Sequence, residues 1–343
     1  MKVLAFETEE WEHRACLTLR PDHDVACRRE PLNEETAFDY ADDAEIISTF
    51  VNSRLDADVL GRFPALRLIA TRSTGYDHID AAYCVAHDIT VCNVPDYGDA
   101  TVAEHAFALL LALARHIGEA VERTRHGDFS TDGLRGIELR GRTFGVIGTG
   151  RIGRCTLGIA RGFGMQAIAY DVRPDPAAAD RIGFRYVGLD ELFAAADAVS
   201  LHVPATPETR HMLSDAAFAR MKPSAILVNT ARGSVVDTAA LVRALADGRL
   251  AGAALDVLPE EPLIREEAAI FRAGAADKPY DLKALVANHV LLRFPNVLVT
   301  PHVAYNTDEA LRRIIDTTLA NIRAFAAGTP QNIVIDGRSG HSP

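Results

Sequence analysis

The chain has 343 residues, 48% of them hydrophobic and 24% charged, with a formal net charge of −11. That length favours two domains over one core, and the composition is globular rather than disordered or fibrous. The acidic balance argues against a nucleic-acid or anionic-membrane partner, which would need a basic face, but leaves open an anionic small substrate that answers to one local arginine.

In chain order, Lys2–Phe6, Glu45–Thr49, Leu66–Thr71 and Ile89–Cys92 are short, apolar or β-branched runs bounded by turn residues, which predicts strands. Asp56–Phe63 and His78–His87 between them suit helices, and this alternation predicts βα units in a parallel sheet. Asp99 is expected to cap a long helix running towards Arg125. Its apolar part, Val102–Ala114, is interrupted by Glu104 and His105 and is too short for a bilayer, so it reads as a buried helix. A second α/β series follows, with strands at Thr143–Ile147, Met165–Tyr170, Ala198–Leu201, Ala225–Asn229 and Gly252–Asp256. Glu260–Pro295 is a mixed loop–helix stretch, Asn296–Thr300 is strand-like, Asp308–Phe325 reads as an amphipathic helix, and the tail DGRSGHSP (336–343) is expected to be disordered.

Directly after the strand TFGVI stands Gly148-Thr-Gly150-Arg-Ile-Gly153. At a strand-to-helix junction each glycine has a mechanical reason: Gly148 for the tight turn, Gly150 for close approach of backbone to a pyrophosphate, Gly153 for helix–strand packing. The helix N-terminus then offers N–H groups to phosphates. Asp171 ends the next strand, AIAYD, eighteen residues after Gly153, near the spacing of about 20 expected for the acid on the adenosine ribose. A carboxylate there accepts from the 2′-hydroxyl and repels a 2′-phosphate, which favours NAD over NADP; Arg173, two residues on, softens that preference.

Three later segments place a reactive residue just beyond a strand, where ligands of open α/β sheets bind. They are Asn229-Thr-Ala-Arg232-Gly233, Asp256-Val-Leu-Pro-Glu-Glu261-Pro262 and Thr300-Pro-His302-Val-Ala-Tyr305. The five cysteines, Cys16, Cys27, Cys84, Cys92 and Cys155, include no C-x-x-C pair. Neither a metal site nor a disulfide framework is expected, and reduced thiols in the cytoplasm are. The opening MKVLAFETEE has no basic and apolar regions of a signal peptide.

The segments STGYDHID, NVPDYG, TVAEH, GVIGTGRIG, LHVPATPETRHM, VNTARGSVVD, ALDVLPEEP and TPHVAYNT, in this order from about Leu66 to Phe325, resemble the D-isomer-specific 2-hydroxyacid dehydrogenases, above all their D-lactate dehydrogenase branch. The resemblance implies that Arg232 binds the substrate carboxylate and polarises the C2 oxygen as a planar fork. It makes His302 the general acid–base, and Glu261, immediately before Pro262, the partner that fixes the ring and favours its protonated form. It places Asp256 on the nicotinamide side, with Thr230 and Ala231 near the nicotinamide, and adds cofactor contacts from Arg151, Ile152, Val203, Pro204 and Thr209. For the substrate it implies backbone N–H groups of Thr74 and Gly75, with Tyr97 and Tyr305 facing the pocket and Phe50 closing it. Two features depart from the lactate pattern: the 41-residue stretch from Glu261 to His302, and Asn306 where a second aromatic is common.

The implied architecture is a two-domain α/β fold, a Rossmann-type NAD-binding domain (100–303) inserted in a discontinuous flavodoxin-like substrate domain (1–99 and 304–335). Hinges fall near Gly98–Thr101 and Thr300–Ala304, and closure of a cleft would expel water from the reacting groups. A homodimer through the long helix after Asp99 is implied as well. The expected reaction interconverts a small 2-keto acid and its D-2-hydroxy acid with NAD, pyruvate/D-lactate first. A glyoxylate/hydroxypyruvate reductase or a reductase of a bulkier 2-keto acid is the alternative on the same fold, while Glu261 counts against a formate dehydrogenase. An NAD-sensing scaffold, like the corepressors of this fold, is the alternative of another class; the chain shows no basic or low-complexity arm for that role.

Overall fold

The apolar runs form thirteen strands among the described residues: β1 (Lys2–Ala5), β2 (Asp24–Cys27), β3 (Ile46–Thr49), β4 (Leu68–Thr71), β5 (Thr90–Cys92), β6 (Thr143–Ile147), β7 (Gln166–Tyr170), β8 (Arg185–Tyr186), β9 (Ala198–Leu201), β10 (Ile226–Asn229), β11 (Gly252–Leu255), β12 (Val297–Val299) and β13 (Ile333–Ile335). The structure, a computed structural model, describes residues 1–39, 43–259 and 282–337. The chain separates into two compact units, Met1–Tyr97 with Thr307–Pro343, and Gly98–Asn306.

In the first unit the strand order is β13-β5-β4-β3-β1-β2. Its five parallel strands have the 2-1-3-4-5 order of a flavodoxin-like sheet. Strands in such a sheet are buried on both faces, and consecutive residues go to opposite sides. Leu4, Ile47 and Ile69 pack with Leu55 and with Val59 and Leu60 of the Asp56-capped helix Ala57–Leu60. Val3, Ile46 and Leu68 pack on the other side with Ile315, Leu319, Ile322 and Phe325. Those four come from one stripe of the helix Asp308–Ala326, which Thr307 caps by accepting from the N–H of Ala310. β13 joins β5 antiparallel, Ile335 opposite Val91, and covers that edge. Order therefore runs through Ile335 to Gly337, two residues into the tail expected to be disordered; residues 338–343 lie outside the described part.

In the second unit the order is β12-β11-β10-β9-β6-β7-β8, all parallel. Counted from β6 this is 3-2-1-4-5-6 with a seventh strand added, the doubly wound dinucleotide-binding order. The helix Asp99–Ala114 is buried along Val102, Ala103, Ala106, Phe107, Leu110 and Ala114, as its composition predicts. Two details differ from expectation. The cap is Gly98, with Asp99 already helical, and the helix stops at Ala114 instead of running to Arg125. His116 sits in the left-handed region at φ 52°, and the chain restarts as a second helix, Ile117–Arg125, bent 62° from the first. One left-handed residue breaks the i→i−4 path while leaving the apolar periodicity intact. Among the described residues no single helix is long and apolar enough to cross a membrane.

Candidate active site

The register of the second sheet aligns its strand ends. Tyr170 pairs with Ile147, Ile147 with Leu201, Leu201 with Asn229, Asn229 with Leu255, and Leu255 with Val299. The next residue along each strand is Asp171, Gly148, His202, Thr230, Asp256 and Thr300, so six residues of four types share one carboxyl edge. Arg232 and His302 each follow three positions after such an end, on β10 and β12. With about 4.8 Å between neighbouring strands these two leave the sheet about 10 Å apart. Both side chains are half-buried.

The glycine loop shows why its residues cannot be larger. Gly148 has φ +95°, and a Cβ there would lie 2.5 Å from the carbonyl oxygen of His202. A Cβ on Gly153 would lie 2.0 Å from the carbonyl oxygen of Gly148. Gly150 is different: a Cβ would meet nothing within 4 Å, and the helix Arg151–Gly162 it precedes has no side-chain cap. The loop leaves its helix N-terminus open and bare, which fits a pyrophosphate. Arg151 and Ile152 form the first helical positions.

Asp171 is tied to this loop. Its carboxylate accepts from the Thr149 N–H (2.6 Å) and hydroxyl (2.9 Å) and from the Arg173 N–H (2.8 Å). Burial pushes its pKa up, but these hydrogen bonds outweigh burial and hold it below the ordinary aspartate range. The oxygens retain acceptor capacity for ribose hydroxyls. Thr149 also bonds the Tyr186 hydroxyl, 2.8 Å away, so the acid is held from behind.

On the far side of the sheet, Asn229 accepts from the Ala231 N–H and donates to the Arg232 carbonyl, both at 3.0 Å, clamping the 230–232 turn. A Cβ on Gly233 would fall 2.2 Å from the carbonyl carbon of Leu258, so only glycine lets the arginine turn rest on the segment after Asp256. The Thr230 hydroxyl is buried without a hydrogen-bond partner among the described residues, an orphaned donor at the strand end where a ligand amide would be met.

The side chain of Asp256, expected on the nicotinamide side, is wholly enclosed, with 0% exposure. Its carboxylate accepts from the Thr300 hydroxyl (2.5 Å) and the N–H groups of Val303 and Ala304 (2.9 Å each), and His105 Nε2 lies 3.4 Å away. Burial raises its pKa, yet the bonds from His105, Thr300, Val303 and Ala304 outweigh it and keep the group ionised. Asp256 thus staples the turn that carries His302. Its carbonyl accepts from the His302 N–H at 2.9 Å, and His302 itself holds a left-handed φ of 53°. That conformation costs about 1–2 kcal/mol for a residue with a side chain, and the three charge-assisted bonds to Asp256 offset it. His105 belongs to the TVAEH segment, but its contact with Thr300, 3.2 Å across 195 residues of sequence, has no sequence signal.

Other expected contacts sit as follows. Val203 and Pro204 begin the loop after β9, beside His202, whose ring bonds Ser200 at 2.9 Å. Packing around His202 pushes its pKa down to about 3, which leaves it neutral although one edge reaches solvent. The Thr209 hydroxyl donates to the Pro204 carbonyl at 2.6 Å, so it closes this loop. Tyr305 is half-buried after the His302 turn. Glu261 lies outside the described residues. In the first unit, Phe50 follows β3 and Thr74 follows β4 at the carboxyl edge of that sheet. The Thr74 hydroxyl donates to Val94 O and its carbonyl accepts from Asn93; the Gly75 carbonyl accepts from Ser73. Glu7, unsuspected from sequence, sits at φ 56° and accepts from the N–H groups of Phe50, Asn52 and Ser53, which fixes the loop bearing Phe50. The Tyr97 carbonyl accepts from Arg313.

Residues 107–304 match the family model of the D-isomer specific 2-hydroxyacid dehydrogenase, NAD binding domain. A 2-hydroxyacid dehydrogenase homolog of Zymomonas mobilis is 38% identical over 333 residues, 96% of this chain and 98% of that one. A glyoxylate reductase of Thermococcus litoralis is 38% identical over 300 residues, covering 85% of this chain and 84% of its own. Among solved structures, a D-lactate dehydrogenase from Aquifex aeolicus in complex with NAD and lactic acid superposes with a TM-score of 0.85 at 35% identity, over 97% of this chain and 99% of that one. An open glycine cradle, a ribose-type acid and a sheet edge bearing arginine and histidine coincide with a family match over more than half the chain. The protein belongs to the D-isomer-specific 2-hydroxyacid dehydrogenases and is an NAD-dependent oxidoreductase.

Proposed function

We propose that the protein reduces a small 2-keto acid to its D-2-hydroxy acid, with pyruvate to D-lactate as the preferred pair. The observation that carries this reading is the common carboxyl edge that Arg232 and His302 share with the glycine cradle. Arg232 takes the substrate carboxylate with two parallel N–H donors and polarises the C2 oxygen. NADH, when bound at the cradle, supplies the hydride to C2. His302 gives the C2 oxygen its proton in reduction and removes it in oxidation. Glu261 is assigned to the second imidazole nitrogen, Asp256 to holding the histidine turn. Thr74 and Gly75 are assigned to the substrate carboxylate, Tyr97, Tyr305 and Phe50 to the pocket wall. The unit bearing those first-sheet residues is the substrate domain in this reading.

Steady-state reduction of pyruvate, glyoxylate, hydroxypyruvate and phenylpyruvate with NADH and NADPH tests the substrate assignment. Pyruvate is expected to give the highest kcat/KM with a D product. A preference for glyoxylate would establish the second reading, which the likeness to a glyoxylate reductase and Asn306 in place of an aromatic favour.

Replacing Asp171 by serine removes the charged acceptor assigned to the ribose. A hydrogen bond to a charged group contributes about 1.5–3 kcal/mol, so kcat/KM with NADH is expected to fall about 10–100-fold. NADPH, no longer repelled and with Arg173 two residues away, should gain. An unchanged NADH to NADPH ratio would remove Asp171 from cofactor choice.

A homodimer through the segment after Asp99 belongs to the same reading. The helix Ile117–Arg125 buries no residue, Ile117 and Val121 are exposed, and Phe129 beyond it is 79% exposed. Apolar groups displayed in this way suit an interface.

A further inference from the structure

Two of the thiols scattered along the sequence are neighbours in the first unit. Cys16 is the last residue of the helix Glu10–Cys16, and Cys27 is the last residue of β2, the edge strand of its sheet. The helix packs on that strand, and both cysteines lie in the apolar cluster of Val3, Ala5 and Val25. Cys16 is buried and Cys27 half-exposed. Each thiol is the other's strongest influence there, which places the two side chains near one another in that cluster. We propose that Cys16 and Cys27 are a peroxide-reactive dithiol that closes reversibly to an intramolecular disulfide, tying the helix to the sheet edge.

The surroundings divide the labour between the two sulfurs. The hydrogen bond from Cys16 lowers the Cys27 pKa; burial opposes this, and the guanidinium groups of Arg72, Arg28 and Arg20 reinforce it. Arg72 is only 1% exposed, with Nη2 donating to the carbonyls of Phe6 and Glu7. Its Nε lies 3.3 Å from Glu12, a charge contact without hydrogen-bond alignment. The same hydrogen bond, then burial, pushes Cys16 up, so it keeps its proton. Cys27, half-exposed and with the lowered pKa, is therefore the accessible nucleophile, and buried Cys16 the resolving thiol behind it. Burial pushes Cys84 to about 12 and Cys92 to about 11, and raises Cys155, which leaves these three as poor nucleophiles.

The oxidant is a hydroperoxide. The Cys27 thiolate attacks one peroxide oxygen, the O–O bond breaks, and the departing hydroxide takes a proton to become water, leaving Cys27 as a sulfenic acid. The Cys16 sulfur then attacks the sulfenic sulfur. The S–O bond breaks, hydroxide leaves with the Cys16 proton as a second water, and the S–S bond forms. Each sulfur is oxidised by one electron and the two peroxide oxygens are reduced. Closure brings the two sulfurs to about 2 Å.

The test uses the full-length protein treated with hydrogen peroxide, then denatured and alkylated. Cleavage after Arg14 and Arg28, with Arg20 protected by Pro21, releases residues 15–28 as one peptide bearing both cysteines. That peptide is expected to become two hydrogens lighter and to lose both alkyl groups, while the other three of the five cysteines remain alkylatable; dithiothreitol should restore all five. In Cys16→Ser, Cys27 should be trapped as a dimedone adduct, and in Cys27→Ser, Cys16 should stay reduced. Five alkylatable thiols after peroxide, a disulfide to any other cysteine, or one between two molecules would overturn the proposal. The wild-type peptide decides this even if a serine variant folds poorly.

Discussion

Replacing His302 by glutamine is expected to lower kcat for keto-acid reduction by about 10²–10⁴-fold, the span associated with one positioned proton donor. NADH affinity, read by its fluorescence on binding, should not change, because the glycine cradle and Asp171 lie four and five strands away from β12. Glutamine keeps polarity and much of the volume but cannot shuttle a proton. The turn should survive the change, since its shape comes from the Asp256 carboxylate bonding Thr300, Val303 and Ala304 rather than from the imidazole. An unchanged Tm alongside the collapsed kcat would assign the loss to chemistry. Turnover close to wild type would remove His302 from the reaction and end its assignment as the general acid–base.

The second sheet was legible because its strands are buried on both faces and read as unbroken apolar runs, from TFGVI to GAAL. The glycine loop was legible because Gly148 and Gly153 answer to steric demands that no other residue meets, while Gly150 leaves the helix N-terminus open. What could not be read is register. That Asn229, Leu255 and Val299 stand side by side follows from pairing, and pairing is a property of the folded sheet. The role of Asp256 shifted for the same reason: adjacency to a strand end suggested a ligand contact, whereas the fold encloses the carboxylate and commits it to the histidine turn. Short elements also escaped. β2 is a four-residue edge strand that begins with an exposed aspartate, β8 has two residues, and β13 follows a helix with three. None offers enough alternation to stand out. The break at His116 and the bend at Glu7 are left-handed residues other than glycine, which leave no mark on hydropathy. The Cys16–Cys27 pair, eleven residues apart on two different elements, resembles no local motif.

Arg232→Lys is the more discriminating of the changes at the sheet edge, because it preserves charge. A lysine presents a point charge on a flexible stem, whereas the guanidinium presents two parallel donors to a carboxylate and a further edge to the C2 oxygen. Losing one charge-assisted bond of about 1.5–3 kcal/mol corresponds to about 10–100-fold in kcat/KM, and Arg232→Ala, which loses both, to about 10²–10⁴-fold. The clamp from Asn229 and the close passage of Gly233 past Leu258 set the backbone of this turn independently of the side chain, so neither variant should move Tm appreciably. KM for the keto acid should carry most of the loss in the lysine variant, where charge attraction persists but the fork is gone. Added guanidinium ion should partly restore the alanine variant, since the cavity it leaves matches the missing group. Restoration without any change in NADH affinity would locate the guanidinium at the substrate; equal kcat/KM for arginine and lysine would instead mean that charge alone is required, and the bidentate assignment would fail.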